Sequence, residues 1–160
     1  LSKVHNINLY FNLSHTHHTM AIIFNKICEC GIDIEEDNAL IIDEYICNIV
    51  LSEREKLLYH NSQEKKTIFY KLWTLKEAYS KAVGMGLELP MQTNDFGFIN
   101  NLHLFGEHPI IKNNYLCATI TLDKNQYLAY AIKQSSNNTS KKNQSVTLFP
   151  IHPNVTFSLQ

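Results

Sequence analysis

The sequence predicts an α+β domain in which strands come first, two helices follow, and strands return. Three observations carry that order. Apolar and polar residues alternate through "MAIIFNKI" (20–27) and "CECGIDIEE" (28–36). Apolar residues recur at steps of three and four through "TIFYKLWTLKEAYSKAV" (67–83). Two further apolar runs, 115–122 and 127–132, flank the turn sequence "DKNQ". No internal repeat is visible.

The composition bounds the answer. At 160 residues the chain holds one domain with a real core. It is 44% hydrophobic and 18% charged, with a net charge of −1, which excludes a disordered chain and a nucleic-acid binder held by a basic patch. No apolar run approaches the roughly 18 residues of a membrane span, and no signal-peptide pattern opens the chain. Cys28, Cys30, Cys47 and Cys117 have neither zinc-finger spacing nor scaffold density, so they read as small core residues in a reducing cytoplasm. A monomer without nucleic-acid or membrane partners is expected.

Each element has its own signature. "YFNLSHTHH" (10–18) reads as a short strand entering a polar turn, where His15, His17 and His18 are solvated imidazoles rather than zinc ligands. Residues 20–27 and 28–36 read as neighbouring strands, with a hairpin turn near Asn25-Lys26. Helical spacing from Asp43 to about His60 predicts one helix, with Glu53, Arg54, Glu55 and Lys56 on its surface. A longer helix from Gln63 to Val83 turns Ile68, Leu72, Leu75, Tyr79 and Ala82 to the core. Gly84 and Gly86 end it, and Pro90 keeps it ended. A further strand is expected at 96–99. Residues 1–133 form the domain; 134–145 are a polar linker, and 146–160 a strand or extended tail.

Two groups of residues carry chemistry. Strand alternation sends Cys28, Cys30, Ile32 and Ile34 to one face, and Glu29, Gly31, Asp33 and Glu35 to the other. Asp33 and Glu35, with Cα atoms roughly 6.5–7 Å apart, suit a hard divalent cation, or else keep an edge strand soluble. On the long helix, Phe69, Trp73, Glu77 and Lys81 run in one row beside the core stripe. Glu77 and Lys81 therefore form either a surface ion pair or, with Asp33 and Glu35, a site for a metal-bound diphosphate. Trp73 reads as packing that fixes where Glu77 points.

These residues resemble a known family. Gly31-Ile32-Asp33-x-Glu35, followed by Trp73-x-x-Lys76-Glu77-Ala78-x-x-Lys81, is similar to the 4'-phosphopantetheinyl transferases of the surfactin-synthetase-activating type. "FNLSH" (11–15) resembles the motif upstream of the acidic strand, and "GMGLELP" (84–90) the stretch after the long helix. The resemblance covers roughly 8–133. It implies the second half of a pseudo-duplicated fold, with most of the first half lying before Leu1. It also implies an activity of the holo-acyl-carrier-protein synthase kind: Mg²⁺-dependent transfer of the 4'-phosphopantetheine arm of coenzyme A to a serine of an acyl or peptidyl carrier protein. Adenosine 3',5'-bisphosphate would leave. In that pattern Asp33, Glu35 and Glu77 hold Mg²⁺, and Lys81 meets the diphosphate. Glu77 also serves as general base, while Lys76 is a second phosphate contact. Ser14 and His15 contact the nucleotide part of coenzyme A. Met85, Leu87, Met91, Phe96 and Phe98 are core residues or part of a carrier-protein contact. The rival reading is a non-catalytic half-enzyme that binds a carrier or coenzyme A without turnover.

Overall fold

A computed structural model of the chain describes residues 9–37, 41–96, 109–123 and 125–134. The order is β1 (Tyr10–His15), β2 (Met20–Asn25), β3 (Cys30–Glu36), α1 (Glu44–Val50), α2 (Glu53–Asn61), α3 (Lys65–Val83), β4 (Ile110–Lys112), β5 (Tyr115–Asp123) and β6 (Gln126–Lys133). The fold class is α+β, as the sequence predicts. Among the described residues no helix is long and apolar enough to cross a membrane.

Three layers stack. A four-stranded antiparallel sheet of order β3-β6-β5-β4 lies in the middle. On one face Phe69, Leu72, Leu75, Tyr79 and Ala82 of α3 close a core with Cys117, Ala129 and Ala131. On the other, Cys28, Cys30, Ile32, Ile34, Leu128 and Tyr130 meet Ala21 and Ile23 of the β1–β2 hairpin. All four cysteines are free and buried. β6 is apolar on both faces and is therefore central.

The expected β2–β3 hairpin does not form. β2 pairs with β1, from Tyr10↔Asn25 to His15↔Met20. β3 pairs instead with β6, from Cys30↔Ile132 to Glu36↔Gln126. The Asn25 carboxamide oxygen accepts from the amides of Ile27 and Cys28 at 2.8 and 3.2 Å, and this local turn sends the chain to the other sheet. β3 is thus an edge strand, but its free amides are covered. Ile32 N donates to Asn12 Oδ1 at 3.0 Å and Ile34 N to Ser14 Oγ at 3.3 Å. Inward Asn12 and Ser14, alternating with outward Phe11 and Leu13, are the structural content of "FNLSH".

The single helix expected over 43–60 is two. Leu51 is extended, and Ser52 restarts the helix with a capping box: its hydroxyl accepts from Glu55 N, and the Glu55 carboxylate accepts from Ser52 N. The strand expected at 96–99 also fails where it is described, because Phe96 is irregular chain and fully buried. That burial makes Phe96 a core residue. Met91 packs partly against the same core and Met85 is exposed; residues 97–99 lie outside the described residues. The linker and tail after 134 lie outside them too. β4, three residues at the sheet edge, was not expected.

Gly31 sets the distance between β3 and α3. A Cβ there would stand 2.1 Å from Ala78 O and 2.5 Å from Ala82 N, both backbone atoms of α3. Gly31→Ala must therefore push the strand from the helix, and should cost about 1–3 kcal/mol or more. A thermal melt checks this; a midpoint equal to the parent's would mean that the two elements separate freely.

Candidate functional site

The Gly31 approach brings the outward face of β3 against the last turns of α3. Asp33 is buried, and its Oδ1 accepts from Lys81 Nζ at 2.7 Å and from Ser14 Oγ at 2.9 Å. Lys81 also donates to Ile32 O at 3.3 Å, and its side chain stays 26% exposed. The other Asp33 oxygen, Oδ2, is buried with no hydrogen-bond partner among the described residues. Glu35 and Glu77 are half-buried, with no hydrogen bond or ion pair among the described residues.

Electrostatics tie these groups together. Burial pushes the Glu35 carboxyl up to about 7, helped by the charges of Asp33 and Glu77 and opposed by Lys81. Burial also raises Glu77, with Asp33 adding to the effect and Lys81 opposing it. Three carboxylates and one ammonium carry two uncompensated negative charges when ionised. An orphaned buried oxygen in such a cluster fits a hard divalent cation, which takes carboxylate oxygens and leaves positions for substrate. No three His, Cys, Asp or Glu side chains among the described residues already converge on a common point.

The remaining site residues separate into two groups. His15 is exposed at the end of β1 and lines an open cleft with Thr16, His17, Glu35 and Glu36. That cleft opens beside the carboxylates. His18 Nδ1 lies 3.3 Å from Glu36 Oε2. Ser14, by contrast, is buried, and its hydroxyl donates to Asp33 while accepting from Ile34 N. It braces the acidic strand, so the nucleotide contact expected of it is not available to that hydroxyl.

Lys76 is a correction. It is 1% exposed, and it donates to Val50 O at 2.7 Å and Met91 O at 2.8 Å while pairing with the Glu55 carboxylate. Burial pushes its ammonium pKa down, and Glu55 opposes that. Its three protons are used inside the fold, away from Asp33, so it has none for a phosphate. Glu55 is a second correction: it is fully buried, not on a helix surface, and also accepts from Phe96 N at 2.7 Å. Trp73 is half-buried and meets Phe69 edge-on at 5.4 Å.

Comparison with known proteins bears on this geometry. The family model of the 4'-phosphopantetheinyl transferase superfamily matches residues 29–139, which include Asp33, Glu35, Glu77 and Lys81. The chain is 31% identical over 86 residues to the 4'-phosphopantetheinyl transferase ffp of Bacillus subtilis, covering 54% of this chain and 38% of that protein. It is 31% identical over 98 residues to the 4'-phosphopantetheinyl transferase Sfp of Bacillus subtilis strain 168, covering 61% and 42%. The matched stretch thus spans less than half the length of either relative. The crystal structure of Thermotoga maritima holo-acyl-carrier-protein synthase is similar at a TM-score of 0.42 and 20% identity, covering 67% of this chain and 64% of that one. With the family model matching most of its length, this chain belongs to the 4'-phosphopantetheinyl transferase superfamily.

Proposed function

We propose that this chain transfers the 4'-phosphopantetheine arm of coenzyme A to a serine of an acyl or peptidyl carrier protein, releasing adenosine 3',5'-bisphosphate. The observation that carries the reading is the buried Asp33 carboxylate, one oxygen held by Lys81 and the other without a hydrogen-bond partner among the described residues, within electrostatic reach of Glu35 and Glu77. Asp33, Glu35 and Glu77 would hold Mg²⁺, which when bound neutralises charge on the diphosphate.

The chain's own groups supply the rest. Lys81 has a third proton beyond those given to Asp33 and Ile32, and a partly exposed ammonium to offer a phosphate oxygen. Glu77 has no hydrogen-bond or ion-pair partner among the described residues, and burial raises its proton affinity, as a base for the serine hydroxyl requires. The serine oxygen would then attack the phosphorus on the pantetheine side of the diphosphate, with the phosphoanhydride bond breaking toward the adenosine bisphosphate. His15, at the rim of the open cleft, is placed to meet the nucleotide part.

Mass spectrometry of an apo carrier protein incubated with the chain, coenzyme A and Mg²⁺ tests this. Gain of the phosphopantetheine mass supports it. Coenzyme A binding without that gain would leave the non-catalytic half-enzyme as the better account.

A further inference from the structure

The β1–β2 hairpin has an outward face that no described residue covers. Its inward side chains Ala21 and Ile23 join the core, while Phe11, Leu13, Met20 and Phe24 are exposed. Phe11 is 66% and Phe24 61% exposed. They stand opposite each other in the ladder, with ring centroids 6.4 Å apart, and Leu13 stands opposite Ile22. Neither strand contains Asp, Glu, Lys or Arg. Apolar rows that adjoin in this way, rather than scattered residues, mark a surface with a partner.

The chain itself carries a segment of matching character. Residues 146–160, "VTLFPIHPNVTFSLQ", also contain no Asp, Glu, Lys or Arg. After Pro153, the apolar Val155, Phe157 and Leu159 alternate with Thr156, Ser158 and Gln160, the pattern of a strand with one face to bury. The described chain also leaves the sheet beside the hairpin. Lys133, the last residue of β6, donates from its amide to Glu29 O at 2.9 Å and from Nζ to Glu29 Oε1 at 3.1 Å. Glu29 lies just past Asn25, where β2 ends.

Reach and tethering decide between occupants. Twenty residues separate Gln134 from Val155. A chain of that length spans roughly 22–27 Å on average, and a six-residue strand is about 20 Å long. The tether presents the segment at an effective concentration on the order of millimolar, which favours it over a second copy of the chain.

We propose that residues 155–159 lie across the outward face of the β1–β2 hairpin, seating Val155, Phe157 and Leu159 on Phe11, Leu13, Ile22 and Phe24. The contact is separate from the transfer chemistry and gives the hairpin its cover.

Chymotrypsin cleavage after Phe157 in the full chain tests this, each rate compared with that of a free 146–160 peptide of the same sequence. The parent should be cut roughly tenfold or more slowly than its peptide, because cleavage follows the population of the released segment. Phe24→Ser and, separately, Leu13→Ser each replace one exposed side chain and should bring the two rates close. Val155→Ser/Leu159→Ser changes the tail alone and should do the same. A parent cut as fast as its peptide overturns the proposal. Protection that survives the hairpin variants or the tail variant overturns it as well. Protection that appears only as chain concentration rises, with a dimer mass by light scattering, gives the face to a second copy and overturns it too.

Discussion

Asp33→Asn is expected to lower transfer by roughly 10²–10³-fold, the scale of losing one preorganised electrostatic group. The substitution keeps the side chain's shape and leaves an oxygen to accept from Ser14. It removes the charge that Lys81 holds at 2.7 Å, and with it the buried oxygen available to a cation. Stability should change little, by about 0–1 kcal/mol, because the partly exposed Lys81 ammonium can return to water. The expected pattern is a folded protein with lost Mn²⁺ affinity and lost turnover. Glu77→Gln should likewise lower turnover, by roughly 10²-fold or more, because it removes the base, and should weaken Mn²⁺ affinity because it also removes a carboxylate proposed for the cation. Turnover by Asp33→Asn equal to the parent at limiting Mg²⁺ would return the acidic strand to its other reading, an edge kept soluble by charge.

Much of this site was legible because it depends on local periodicity. Alternation alone places Asp33 and Glu35 on one face and the cysteines and isoleucines on the other; that Gly31 lets the helix come close shows only in the structure. Four-residue spacings place Phe69, Trp73, Glu77 and Lys81 on one face of α3. What was not legible depends on partners distant in sequence. Nothing in "MAIIFNKICECGIDIEE" says that Glu36 pairs with Gln126 rather than with its neighbour strand. Ser14 reads as a strand-end hydroxyl free for ligand until β1 lies along the edge of β3 and turns it inward. The break at Ser52 did carry a signal, Ser-x-x-Glu, but apolar spacing continued across it. The local rule won over the longer period.

Lys76 shows the same limit most sharply, and it carries the second large effect. It precedes Glu77 by one residue, and one residue turns an α-helix by about 100°. Glu77 faces β3, whereas Lys76 enters the layer between α1, α2 and the 85–96 segment. There it joins Glu55, Val50 O and Met91 O, with both side chains of the pair fully buried. Lys76→Met removes one charge and strands the other without water, which should cost about 3–5 kcal/mol. The melting midpoint should fall by roughly 6–20 °C. Glu55→Gln should be destabilising as well, since Ser52 N and Phe96 N lose a charged acceptor. The double variant Glu55→Gln/Lys76→Met should cost less than the sum of the two, because no buried charge remains unpaired. Below its melting point, Lys76→Met should bind Mn²⁺ and coenzyme A as the parent does, since Lys76 points away from Asp33. Thermal melts on the three variants, with titrations at low temperature, check both halves. A Lys76→Met protein that melts like the parent yet no longer binds coenzyme A would put its ammonium back at the diphosphate.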